Sequence, residues 1–184
     1  LAHQVMIGVE ALAGAGQLGG IGADRVGGGG AGGSGRLQHL GRGRELAAGV
    51  AYYPRWRHGR FCDAAHHRFR QHPLDDLEAM TDAVRACLKA APKGAALRLA
   101  GIGVDTTGSS PLPVAADGEA LALKREFKDD PDAMCVLWKD HTAVAEAEEI
   151  NALAHGGTQP DCTRWSGNSY SSEWFWAKIW RCLK

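Results

Sequence analysis

Residues 105–110, DTTGSS, place a carboxylate, four hydroxyls and a glycine directly after an apolar run, GIGV. The apolar run predicts a strand, and in open α/β sheets ligands bind at the carboxyl ends of strands. Gly108 has no side chain, so a ligand can approach the backbone closely there. A turn in which Ser and Thr side chains cap the backbone explains the same residues equally well. The segment is therefore either a ligand-binding loop or an ordinary turn.

A second candidate lies at residues 138–141, WKDH, where a short apolar strand is predicted to end before a helix. Sugars stack on aromatic faces, and their hydroxyls donate hydrogen bonds to carboxylates. Trp138 and Asp140 therefore suit a polyol site. Asp140 suits the N-cap of the following helix as well, and this alternative stays open.

Two other patterns do not predict a site. Residues 14–19, GAGQLG, match the dinucleotide-binding fingerprint, but glycines continue through Gly35 where that fingerprint needs a helix. Cys62, His66 and His67 lie close together, but structural zinc needs four ligands, usually from well-spaced pairs. We expect neither a nucleotide fingerprint nor a metal site.

The composition excludes several classes of protein. The 184 residues contain 21 Lys and Arg against 21 Asp and Glu, and this balance argues against a nucleic-acid binder. No apolar run reaches the roughly 18 residues of a membrane span, and no signal peptide is evident. The 5 cysteines are odd in number and none has CxxC spacing, which favours a reducing compartment, the cytoplasm.

The elements that must position these residues follow from apolar periodicity and turn chemistry. Strands are predicted over residues 4–9, 46–53, 97–104 and 133–138, and helices over residues 73–91, 142–154 and 171–183. Ser171 or Ser172 is the expected N-cap of the last helix. Asp117-Gly118 predicts a hairpin turn. Strands mixed with helices indicate an α/β fold.

Residues 11–44 differ from the rest, because 14 of these 34 residues are glycine. Such a segment buries too little apolar surface to offset the entropy of ordering it. We therefore divide the chain into an altered, glycine-rich segment of residues 1–44, expected to be disordered at least in part, and a globular part of residues 45–184. An out-of-frame stretch of coding sequence would explain this pattern.

The globular part resembles the FGGY carbohydrate kinases. The resemblance is carried by GIGVDTTGSSPLPV at residues 101–114, by AMCVLWKDHTAVAEAEEINALAHGG at 133–157 and by YSSEWFWAK at 170–178. It implies an actin-like ATPase (ribonuclease H-like) fold, of which this chain holds an incomplete N-terminal domain. It also implies phosphorylation of a pentulose, L-ribulose, by ATP with magnesium, a step of arabinose catabolism.

The resemblance further implies which residues meet the sugar, with the loop after Asp105 closest. These residues are Asp105, Gly108, Ser109, Trp138, Asp140 and Tyr170. No residue is implied for ATP or for a metal ion.

The chain departs from the family near its start, where Glu10 follows the first apolar run and the glycine-threonine turn for ATP phosphates is missing. The first residue is Leu1 rather than Met, and the family's catalytic aspartate and nucleotide pocket are expected beyond residue 184. We therefore expect a fragment with no catalytic residue and no kinase activity alone. The alternatives are a kinase for another pentulose such as xylulose, a non-catalytic sugar-binding remnant, or a product that does not fold stably.

Overall fold

The computed structural model describes residues 4–8, 32–38, 45–99, 102–105, 108–157 and 159–184. The strands within them are β1 (Gln4–Gly8), β2 (Gly32–Gln38), β3 (Glu45–Tyr52), β4 (Cys62–Asp63), β5 (Arg68–Gln71), β6 (Gly103–Asp105) and β7 (Cys135–Val136). The helices are α1 (Pro54–Arg57), α2 (Pro73–Ala90), α3 (Val144–His155) and α4 (Phe175–Cys182). This mixture of helix and sheet confirms the α/β class in its broad form.

The chain divides into two compact units, the first within residues 1–60 and 74–107 and the second within residues 61–73 and 108–184. The first unit holds a sheet in the order β3-β2-β1-β6, in which only the β1–β2 pair is parallel. The second holds a sheet in the order β4-β5-β7, antiparallel throughout, with α3 and α4. None of the helices in the described ranges has the length and apolar character that a bilayer crossing requires.

Strand β2 lies inside the glycine-rich segment, where the composition predicted no regular structure. It pairs with β1 on one side and with β3 on the other. Glycine carries the same backbone donor and acceptor as other residues, so a strand can form there with few side chains to bury. Residues 14–19, with their formal fingerprint, lie outside the described residues.

Helix α2 begins at the proline that the sequence predicted and covers the core of the first unit. Ala79, Ala83 and Cys87 recur at four-residue spacing and are buried. Cys87 packs with Leu37 and Ala47, and its thiol donates to the Ala47 carbonyl oxygen at 3.5 Å. The predicted helix and the predicted strand before Pro54 are both confirmed.

Gly49 on β3 lies against α2, and this close approach gives a testable prediction. A Cβ at position 49 would lie 2.3 Å from the Ala83 carbonyl oxygen and 2.6 Å from the Cys87 nitrogen. Gly49→Ala is therefore expected to lower the free energy of unfolding by about 2–3 kcal/mol, measured by urea denaturation. Gly108→Ala is the control, because no heavy atom lies within 4 Å of its added Cβ. Equal stability of the two variants would contradict the packing described.

The second unit contains the predicted hairpin turn at Asp117-Gly118. Val114 and Ala120 form an antiparallel bridge, and Gly118 has a positive φ of 84° that suits glycine. Two apolar clusters support this unit, one around Ala122, Ala133 and Met134, the other around Ala143, Ala147 and Ala177.

The strand predicted over residues 97–104 is largely wrong. Ala96–Arg98 forms a 3-10 turn, and among the described residues of this range only those within Gly103–Asp105 form a strand. Leu97 is 92% exposed and Val104 is 55% exposed, so this apolar run is not a buried strand. An apolar run predicts burial only if another element covers it, which the run itself does not determine.

Two predicted boundaries are also wrong. Helix α4 begins at Phe175 with Trp174 as its N-cap, and the Ser171 hydroxyl instead accepts from Glu173 N in the preceding turn. The strand predicted over residues 133–138 is only Cys135–Val136, because Pro131–Ala133 forms a 3-10 turn.

Candidate functional site

Asp140 lies just after β7 and is fully buried. One carboxylate oxygen accepts from the Phe69 nitrogen at 2.7 Å and from the Arg70 guanidinium. The other accepts from the Thr142 nitrogen at 3.0 Å and from its hydroxyl at 2.5 Å. Asp140 therefore ties β5 to the turn before α3. It is not the N-cap of α3, because Ala143 takes that position.

Arg70 is the buried partner of Asp140, and the sequence analysis did not single it out as a site residue. Its guanidinium pairs with Asp140 and, at 3.2 Å, with Asp132, which is exposed. The Arg70 Nε is buried and has no hydrogen-bond partner among the described residues. A charged pair in a poorly solvated position is held only by good geometry, so Asp140 and Arg70 depend on each other.

Lys178 on α4 is the other residue that sequence reasoning missed. Its side chain is 1% exposed, and its ammonium donates to the Ser109 carbonyl oxygen at 2.6 Å and to the Leu137 carbonyl oxygen at 2.7 Å. Burial lowers the pKa of Lys178 to about 8, against the opposing effect of the Asp140 charge. Lys178 lies four residues after Trp174 on an amphipathic helix, and this spacing is the sequence feature that could have indicated its burial.

The Lys178 contacts bring the hydroxyl-rich loop and the strand end together. Ser109 has a positive φ of 57°, which is uncommon for a residue with a side chain, and its carbonyl oxygen meets the buried ammonium. Leu137 is the neighbour of Trp138, which is half-buried. Gly108 is exposed, with open space where a Cβ would lie. Ser109 and the turn after β7 that contains Trp138 are thus joined through one cation.

Tyr170 lies before α4 and packs against both helices of the second unit. Its ring contacts Trp174 edge-on at 4.9 Å, and its hydroxyl oxygen accepts from the Trp176 nitrogen at 3.0 Å. The Asn151 side chain bonds both the nitrogen and the carbonyl oxygen of Tyr170, at 2.7 and 3.0 Å. Tyr170 therefore helps to fix the segment that leads into Lys178.

Asp105 belongs to a different compact unit from the other predicted residues. It ends β6 in the first unit, whereas the remaining five predicted residues belong to the second unit. The carboxyl end of that strand therefore carries Asp105 as the sequence analysis expected.

A cavity of about 380 Å³ lies in the second unit, and Lys178 is one of the residues that line it. Its lining residues are Arg70, Asp132, Val136, Thr142, Glu146, Lys178, Arg181, Cys182 and Lys184. The six residues predicted for the sugar are absent from this lining.

The described residues include no group of three or more His, Cys, Asp and Glu side chains placed to hold a metal ion. Residues 10–31, near which the family's ATP-phosphate turn was expected, are outside the described part. We therefore assign no residue to ATP or magnesium and derive no step through them.

Comparison with known proteins decides the family. The chain is 53% identical to the ribulokinase of Vibrio parahaemolyticus over 136 residues, which are 74% of the chain. The matched part of the chain belongs to the ribulokinase family. The chain is also 37% identical over 155 residues to the ribulokinase of Halalkalibacterium halodurans. It is 42% identical over 113 residues to the ribulokinase of Geobacillus thermodenitrificans. No family model matches the chain.

The similarity to ribulokinases confirms the resemblance to carbohydrate kinases that the sequence motifs indicated. The first two matches cover 24% and 27% of the relatives, so the chain spans about a quarter of the length of the ribulokinases it matches.

Proposed function

We propose that this chain is part of a ribulokinase that phosphorylates L-ribulose, and that its second unit contributes to the sugar site. The observation that carries the proposal is the buried Lys178 ammonium, which donates to the carbonyl oxygens of Ser109 and of Leu137, the residue just after β7. The similarity to ribulokinases supports the substrate class. We further propose the actin-like FGGY kinase fold, ATP and magnesium as cosubstrates, and a location in the cytoplasm, where ATP is available.

Lys178 would bind and orient the sugar. An ammonium has three donors, and the Ser109 and Leu137 carbonyl oxygens take two of them. The third has no acceptor among the described residues, and we propose that a ketose hydroxyl or carbonyl oxygen accepts from it. A donor held by two fixed acceptors loses little freedom when the sugar binds, which favours precise orientation of the reacting hydroxyl.

The neighbouring residues would shape the rest of the sugar site. Open space at Gly108 allows the sugar to approach the backbone, and the half-buried Trp138 offers an aromatic face. Asp140 would act indirectly, because its oxygens are already engaged and it holds the strand end in place. We also propose that Tyr170 borders the site, as the family resemblance implies, and the role of Asp105 stays a prediction.

Titration calorimetry with L-ribulose, without ATP, tests this proposal. We expect saturable heat with the 184-residue chain. Gly108→Val should weaken binding roughly tenfold, because its side chain fills the space proposed for the sugar. Ala116→Val, at an exposed position of the hairpin turn, is the matched control and should bind as the unchanged chain does.

Two results would contradict the proposal in different ways. Absence of heat above dilution would reject sugar binding by this unit. Tighter binding of D-xylulose than of L-ribulose would reject the ribulose assignment in favour of another pentulose kinase.

A further inference from the structure

His141 lies in the turn after β7, and its ring contacts the segment that leads into α4. The Nδ1 atom lies 2.9 Å from the Ser172 hydroxyl oxygen, and the Nε2 atom lies 3.2 Å from a Glu173 carboxylate oxygen. A neutral ring with its proton on Nε2 donates to Glu173 and accepts from the Ser172 hydroxyl, so both contacts are satisfied together. The imidazole therefore ties together two segments that are 31 positions apart in the chain.

The turn after β7 is held to the α4 segment at two separate points. At its beginning, the Lys178 ammonium donates to the Leu137 carbonyl oxygen at 2.7 Å, and at its end the His141 ring makes the two contacts just described. The His141 nitrogen also donates to the His67 carbonyl oxygen at 3.0 Å. Trp138 lies between the two points. An ammonium on a flexible four-carbon stem does not fix the direction of a helix, whereas a second contact at a distance from it does.

We propose that His141 is a positioning residue of the sugar site, which holds the segment before α4 so that the Lys178 ammonium keeps its place. This inference rests on the proposed function, in which Lys178 binds the sugar. The Lys178 nitrogen donates to the Trp174 carbonyl oxygen at 3.4 Å, so the helix that carries the ammonium continues directly from the segment that His141 holds. A donor that is fixed before the sugar arrives loses little freedom on binding, and release of the segment removes this advantage.

The charge of Glu173 also connects His141 with Lys178. Burial is the largest influence on the pKa of Lys178 and lowers it to about 8. The charged groups that act on this pKa are Asp140, Cys135, Glu173 and Arg70. Glu173 raises it, and the His141 ring fixes where that carboxylate lies. Because burial dominates, we expect loss of the ring contacts to admit water to the ammonium and to raise its pKa toward the ordinary 10.5.

Calorimetry with L-ribulose, without ATP, compares two replacements of His141 that are similar in size. His141→Leu removes both ring contacts and should weaken binding roughly tenfold. His141→Gln, whose amide can donate to Glu173, should bind within about threefold of the original chain. His155→Leu is the matched control, because His155 is an exposed histidine of the same unit whose ring contacts Thr163 instead, and it should leave binding unchanged. A circular dichroism melt verifies that each variant is folded at the temperature of the titration.

A change on the other side of the contact keeps the inference testable if His141→Leu does not fold. Glu173→Ala removes the carboxylate that the ring contacts and should weaken binding roughly fivefold. Where both variants fold, the double variant should bind no more weakly than His141→Leu alone, because the two side chains act through one contact.

The titration of Lys178 gives a readout that does not involve the sugar. It is followed by NMR of the ¹³C-labelled Lys178 Cε, and we expect a midpoint near pH 8 in the original chain. The midpoint should rise in His141→Leu and return toward 8 in His141→Gln. Lys128, at a side chain that is 65% exposed, should titrate alike in all three. A purely structural role of His141 would lower stability without moving this midpoint.

Several results would overturn the inference. They are unchanged binding in His141→Leu or in Glu173→Ala, no recovery in His141→Gln, an equal loss in His155→Leu, additive losses in the double variant, or an unchanged Lys178 midpoint. If the original chain gives no heat with L-ribulose, the proposed function fails. The Lys178 titration alone then decides whether His141 positions the ammonium.

Discussion

Asp140→Ala is expected to lower the free energy of unfolding by about 3–5 kcal/mol, because it leaves the buried Arg70 guanidinium without its main counter-charge. The backbone donors of Phe69 and Thr142 lose their acceptor as well. Urea denaturation followed by tryptophan fluorescence measures the loss. The cost exceeds that of a typical point mutation because charge and hydrogen bonds are removed from one buried position.

Asp132→Ala is the control for Asp140→Ala. Asp132 pairs with the same arginine at 3.2 Å, but its side chain is 78% exposed. Water replaces an exposed partner, so we expect a loss of at most about 1 kcal/mol. Equal losses for the two variants would show that Arg70 is not held by Asp140 in the way described.

The unfolding free energy is expected to rise with pH above 8 because of Lys178. Burial lowers its folded-state pKa to about 8, and the ordinary value of 10.5 applies after unfolding. Between these values the unfolded chain retains a proton that the folded chain has lost, so raising the pH favours folding. The full difference corresponds to about 3 kcal/mol. Below pH 8 both states are protonated, and the contribution is constant.

Comparison with Lys178→Met isolates this effect from other groups that titrate in the same range. The stability difference between the original chain and Lys178→Met should shift in favour of the original chain from pH 8 to 10.5. Lys128→Met, at a side chain that is 65% exposed, should show no such shift. A flat difference for Lys178→Met would contradict the burial of its ammonium.

These two residues determine how the proposed sugar site is assembled. Asp140 fixes the strand end from one side through Arg70, and Lys178 fixes it from the other through Leu137. The Ser109 carbonyl oxygen accepts a hydrogen bond from the same ammonium. The candidate segments are therefore positioned by Asp140, which the sequence analysis named, together with Arg70 and Lys178, which it did not.

The sequence by itself determined the features that depend on nearby residues. Helix α2 follows from Pro73 and the apolar periodicity after it, and the hairpin turn follows from Asp117-Gly118. The motifs at residues 101–114 and 133–157 were enough to indicate the kinase family, which the relatives confirm for the matched part of the chain. Turn chemistry and apolar periodicity depend on residues close together in the chain, so they can be recognised from the sequence alone.

Only the tertiary structure decided which polar residues are buried and what holds them. Arg70 and Asp140 are 70 positions apart, and Lys178 and Ser109 are 69 apart. In the sequence, Arg70 belongs to a basic run typical of a solvated face, and Lys178 follows a row of aromatic residues. The exposure of Val104 likewise depends on what covers its strand. Burial and pairing depend on segments that are distant in the sequence, and the local sequence does not show which of them packs against a given residue.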